Sequence, residues 1–116
     1  MKPGDVALIH FPFSFKEGQP FKRRPVLVVA TAGGNAADGG LLVAMITSSA
    51  ARLANPGTCD VPLAQTVTSG LIAPSVCRAN RLWVAEERDF VRVIGQVTSD
   101  ELEHVKTMII DSFGLS

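Results

Sequence analysis

The stretch Lys22-Arg23-Arg24-Pro25-Val26-Leu27-Val28-Val29-Ala30 restricts the fold more than any other in the chain. Pro25 has no backbone N–H and a fixed φ, so it belongs at the start of a strand and not inside one. The apolar run after it does not alternate, which predicts a strand buried on both faces. Lys22, Arg23 and Arg24 then sit where a loop enters a rigid core strand. A guanidinium held there can grip a phosphate or a carboxylate with two parallel hydrogen bonds. A solvated, charged strand entrance is the plainer alternative.

The rest of the chain reads as short strands separated by turn signals. Residues 6–11 are apolar and β-prone, with Pro12 as the stop. Residues 13–21 form a long loop carrying Phe13, Phe15 and Phe21, which can stack on bases or tuck onto the core. The glycine-rich connection 33–40 lacks the spacing of a nucleotide fingerprint. A second buried strand, 41–46, ends at Thr47-Ser48-Ser49, whose hydroxyls either close a turn or face a ligand. Residues 50–57 read as a loop, and 58–63 as a strand placed at a sheet edge by Pro62. Residues 74–84 begin as a strand with Arg78 and Asn80 on one face. One more strand spans 90–97.

A helix follows. Thr98 and Glu101 make a capping box, and Leu102, Val105, Ile109 and Phe113 make an apolar stripe. Gly114 is its stop, and Glu101, His104 and Lys106 are read as solvated. The fold class expected is mainly β with a C-terminal helix (α+β), as a strongly bent barrel.

Size and charge narrow the function. A chain of 116 residues, 47% hydrophobic and 19% charged, is expected to be one globular domain over 1–116. No apolar run reaches bilayer length, and the N-terminus lacks a signal-peptide pattern, so a cytoplasmic, non-membrane protein is expected. Cys59 and Cys77 have no metal-ligand spacing around them, so no zinc site and no cofactor are expected, and both are read as reduced thiols. A formal net charge of zero argues against broad duplex binding. The charge is unevenly placed, however. Lys16, Lys22, Arg23 and Arg24 share their loop with a single acid, Glu17, while seven of the eleven acids lie between Glu86 and Asp111. A local basic site of this kind suits a single-stranded or small anionic ligand.

Five pieces, in order, resemble the MazF/PemK family, toxins of bacterial toxin–antitoxin pairs. They are Gly4-Asp5-Val6 leading to Phe11-Pro12-Phe13; Arg24-Pro25-Val26-Leu27-Val28-Val29; Ile46-Thr47-Ser48; Ser69-Gly70-Leu71 with Pro74-Ser75-Val76; and Ile94-Gly95 before the helix. The resemblance implies an SH3-like barrel of the MazF/PemK/CcdB type that forms a homodimer. It also implies metal-independent, sequence-selective cleavage of single-stranded RNA, leaving a 2′,3′-cyclic phosphate, and neutralisation by a cognate antitoxin. By the same resemblance, Arg24 holds the scissile phosphate and Thr47 binds it or helps move a proton. Ser48 supports them, and Arg78 matches an arginine of some PemK-type members. Lys22, Arg23 and Asn80 complete the expected RNA-contacting set. Asn80 stands where some relatives carry an aspartate, and asparagine cannot act as a base. The alternative reading is therefore a weak or inactive relative that binds RNA or antitoxin. A CcdB-like gyrase poison is a poorer match, because the chain ends Phe113-Gly114-Leu115-Ser116 without the tryptophan such toxins use.

Overall fold

The computed structural model describes residues 1–10, 23–34 and 39–115, and among these six strands form one antiparallel sheet. The strands are β1 (Asp5–His10), β2 (Arg23–Thr31), β3 (Leu41–Thr47), β4 (Asp60–Leu63), β5 (Ser75–Ala85) and β6 (Phe90–Gln96), in the order β4-β5-β3-β2-β1-β6. Two helices accompany them, α1 (Ala50–Ala54) and α2 (Ser99–Phe113), with short 3-10 turns at Ala32–Gly34 and Glu87–Asp89. The loop bearing Phe13, Phe15, Phe21 and Lys22 lies outside the described residues, as do 35–38 of the glycine-rich connection.

β2 is the inner strand that the apolar run predicts, but it begins at Arg23, so Pro25 is its third residue and Arg23 and Arg24 pair with β1 instead of lying in the entering loop. It pairs with β1 on one edge and β3 on the other, and Val26, Leu27, Val28 and Val29 are all buried. Alternation sends them to two separate cores. Leu27 and Val29 join Val6, Ile46, Cys77 and Val105 under α2. Val26 and Val28 join Ala7, Ile9 and Val43 on the opposite face. Pro62 lies on β4, an edge strand, where its missing N–H interrupts no inner ladder.

α2 begins on its capping box. The Thr98 hydroxyl accepts from Glu101 N at 3.1 Å, and Glu101 Oε1 accepts from Thr98 N at 2.9 Å. Gly114 closes the helix in the left-handed region at φ 65°. Two expectations need correcting. Glu101 is not simply solvated, because its Oε2 also accepts from Ala64 N at 2.8 Å and ties the helix start to the end of β4. The buried stripe runs through Leu102, Val105, Met108 and Ile109, while Phe113 is exposed. In the last turn Ser112 Oγ lies 2.9 Å from Cys59 Sγ beside β4, so the turn still touches the sheet although Phe113 is exposed. The expected loop at 50–57 contains α1, a single turn that a pattern spanning several turns cannot reveal.

Among the described residues the sheet does not close by strand pairing; the segment after β4 joins its two ends instead. Gln96 N donates to Thr68 O at 2.8 Å, bringing the β4–β5 connection onto β6. Gly70, at φ 71°, and Gly95 let those backbones meet, since a Cβ on either would collide with Ile94 or Ser69 main chain. Asp5 secures the other side, accepting from Lys2 N at 3.0 Å and from Gln96 Nε2 at 3.2 Å. No helix among the described residues is long and apolar enough to cross a membrane.

Gly70→Ala strains a positive-φ position and forces apart the backbones at Ile94; urea denaturation should show a loss of about 2–3 kcal/mol. Cys77 is fully buried, and burial, with Asp60 adding to it, pushes its thiol up from 9.0 to about 12. A raised folded-state pKa means its contribution is complete below about pH 9 and lost as pH rises toward 12. Denaturation of the wild type should therefore steepen with pH over that window by up to about 1.4 kcal/mol per unit. Cys77→Ala should lack that slope.

Candidate active site

Register decides which of the sequence-selected residues meet. β2 and β3 pair through Val26–Met45, and Arg24 and Thr47 lie two residues beyond that pair on their strands. β3 and β5 pair through Met45–Arg78, and β5 and β4 through Arg78–Asp60. Directly paired residues share a face, as do residues two apart in a strand. Arg24, Thr47, Arg78 and Asp60 therefore rise from the same side of the sheet, the side away from α2. Buried neighbours of opposite parity confirm this, because Leu27, Ile46, Cys77 and Val61 all lie in the core under the helix.

Arg23 and Ser48 go elsewhere. Arg23 is exposed, pairs with His10 and has the opposite parity to Arg24. Ser48 follows Thr47 and lines a separate hollow of about 320 Å³ with Leu8, Pro25, Leu71 and Arg92. Asn80 sits where the β3–β5 register slips between Ala44–Leu82 and Met45–Arg78. Its Oδ1 is buried without a hydrogen-bond partner among the described residues. Lys22 is outside the described residues.

The shared face has a polar floor. Asp60 is almost fully enclosed, its side chain only 2% exposed. Its Oδ2 accepts from Gly57 N at 2.8 Å and lies 3.6 Å from Arg52 Nε. Its Oδ1 lies 3.7 Å from Arg78 Nε. One carboxylate thus bridges two guanidiniums. Burial pushes the Arg78 guanidinium pKa down, and the charges of Arg52 and Arg81 push the same way, against Asp60. An arginine begins so far above neutrality that it keeps its proton. Beside this cluster is a cavity of about 380 Å³ lined by Thr47, Ser49, Ala51, Arg52, Asn55 and Arg78. The Thr47 hydroxyl accepts from Ser49 N at 3.2 Å, which fixes its oxygen at the cavity wall. Arg24 Nε is buried and has no hydrogen-bond partner among the described residues. A buried donor of that kind favours an acceptor that arrives with a ligand.

Sequence reasoning passed over Asp60 and Arg52. Asp60 was detectable, since it precedes buried Val61 in a strand and so faces the same side as Pro62. Arg52 gave no such signal, because α1 has a single turn. No group of three or more His, Cys, Asp or Glu side chains among the described residues is placed to hold a metal ion.

Arginine and threonine thus stand side by side at the strand ends of a curled antiparallel sheet, as the resemblance to the MazF/PemK toxins implies. The family profile described as "PemK-like, MazF-like toxin of type II toxin-antitoxin system" matches residues 2–113. The chain belongs to that family. Among solved structures, MazF from Deinococcus radiodurans is 20% identical, with a TM-score of 0.75, over 98% of this chain and 96% of its own. The Mycobacterium tuberculosis toxin MazF-mt6 is 21% identical, with a TM-score of 0.72, over 97% and 98%. An endoribonuclease in complex with its cognate antitoxin, from Mycobacterial species, is 15% identical, with a TM-score of 0.74, over 100% and 97%. At these identities the likeness establishes the fold. No curated sequence matches the chain significantly.

Proposed function

We propose that this protein is a metal-independent, sequence-selective endoribonuclease toxin that cleaves single-stranded RNA as a homodimer and is blocked by a cognate antitoxin. The observation carrying this reading is the convergence of Arg24, Thr47 and Arg78 on one face, in a chain of the PemK/MazF family. The antitoxin partner is supported by the fold-level likeness to an endoribonuclease solved with its antitoxin.

The reaction is an in-line attack. The ribose 2′-oxygen bonds to phosphorus, the bond to the 5′-oxygen breaks, and a 2′,3′-cyclic phosphate and a 5′-hydroxyl result. The 2′-hydroxyl proton goes to an acceptor, and the leaving oxygen takes up a proton. Arg24 donates to the phosphoryl oxygens as negative charge builds on them, and its buried Nε, without a partner among the described residues, is placed to strengthen that donation. Thr47 holds a second oxygen of the same phosphate, and both groups keep phosphorus aligned with the attacking oxygen. Arg78 contacts a flanking phosphate, Arg23 and Lys22 add positive charge for RNA that runs beyond this face, and Ser48 and Asn80 serve as neutral donors or acceptors. Asp60 is enclosed and already engaged by two guanidiniums, so no proton-transfer step is assigned to it. No side chain is assigned as the acceptor of the 2′-hydroxyl proton, and water can take it. Asn80 in place of a carboxylate favours one second reading, a member that binds RNA or antitoxin without cutting.

Cleavage of a long single-stranded RNA in EDTA, with mapped ends, tests the assignment. Wild type should cut at a few short motifs and leave cyclic-phosphate ends. Arg24→Ala should lose about 100-fold in rate, and Thr47→Ala about tenfold or more. A folded wild type that binds RNA but leaves it intact would move the assignment to the binding module. Sedimentation velocity across a concentration series should show a dimer, and a monomer at every concentration would remove the dimer from the reading.

A further inference from the structure

The cavity beside Thr47 has a floor that scissile-phosphate chemistry does not explain. Two arginines on separate elements, α1 and β5, are drawn to one enclosed carboxylate on an edge strand. Without Asp60 their like charges would push the guanidiniums apart and into solvent. With it, each carboxylate oxygen faces one Nε. Those contacts do not use the Nη donors of either guanidinium. Charge is also unbalanced: two cations meet one anion, so the cluster keeps one net positive charge beside an open cavity. Arg52 is 33% exposed and Arg78 19%, so both stay within reach of a ligand while their positions are fixed from below. A volume of about 380 Å³ lies in the range of small-ligand sites. Thr47 and Asn55 add neutral polar groups to its wall.

We infer that this cavity seats the nucleotide next to the cleaved bond, with Arg52 and Arg78 holding its phosphate and Asp60 acting as a positioning residue for both. The inference rests on the RNA-directed reading above. It adds Arg52 as a substrate contact and gives Asp60 a role that its charge alone would not imply. On charge alone, removing an acid beside a phosphate site should tighten binding. If Asp60 positions the arginines, its removal should weaken binding instead.

The test uses the full chain and a random-sequence, single-stranded 2′-O-methyl oligoribonucleotide pool, which can be bound but not cut. Binding is followed by fluorescence anisotropy over a range of salt concentrations. Arg52→Ala should weaken binding about tenfold and lower the log–log salt slope by about 0.7, the share of one phosphate contact on a single strand. Asp60→Asn should weaken binding and lower the slope in the same direction, a change that loss of stability alone does not produce. On cleavable RNA, Arg52→Ala should raise KM while kcat stays within about twofold. If Arg52→Ala binds the pool with wild-type affinity and slope, the inference falls, even if the wild type still cuts RNA. Tighter binding by Asp60→Asn would likewise overturn the positioning role. Loss of binding in Arg52→Ala, with a wild type that never cuts, upholds the inference and defeats the nuclease assignment. A wild type that neither binds nor cuts defeats both.

Discussion

β2 is held on all four sides, and the rest of the molecule is arranged to allow it. Its backbone groups pair with β1 and β3, and its side chains bury alternately in two cores. A strand buried in this way must be apolar along its length, so any polar chemistry is forced to its ends. Pro25 marks the point where that requirement relaxes, and Arg24 stands just outside it. The same reasoning applies to β3, where the buried Ile46 gives way to Thr47 and then to exposed serines. The rigidity that suits catalysis and the exposure that binding needs meet at these strand ends.

Several recurring sequence pieces turn out to be joints. Asp5 links the N-terminal turn to β6, and Gly70 and Gly95 let the β4–β5 connection lie against that same strand. These pieces contribute no reacting group. They bend the sheet and bring its ends together without a closing ladder, and the face carrying Arg24, Thr47 and Arg78 inherits its shape from them.

Strand positions were legible in the sequence because β-branched runs and prolines encode them directly, as at 26–30 and at Pro62. α2 was legible from Thr98, Glu101 and its apolar spacing. Three things were not. The single turn of α1 is too short to carry a period. The exposure of Phe113 at the end of α2 depends on tertiary packing that the spacing of apolar residues does not state. The Asp60 bridge depends on how β4 and β5 align, and register is a property of two strands that neither segment states alone. Within the site, Arg24 and Thr47 were found through local pattern and family likeness. Arg23 and Ser48 were grouped with them by closeness in sequence, whereas alternation sends Arg23 to the other face and Ser48 to a separate hollow.

The short edge strand β4 has a consequence for life at high concentration. Cys59 O accepts from Ala79 N, so 59, 61 and 63 turn their main-chain groups inward, while 60 and 62 turn theirs outward. At 62 the outward nitrogen belongs to a proline and carries no hydrogen, and at 60 the side chain is an acid already engaged by two arginines. A stray β-segment from another molecule meets a rim four residues long with a missing donor in it. The margin of the sheet that lies next to the arginine-rich cavity is therefore protected against the edge-to-edge stacking that starts aggregates. Chains crowded together remain free to meet through their side-chain surfaces instead.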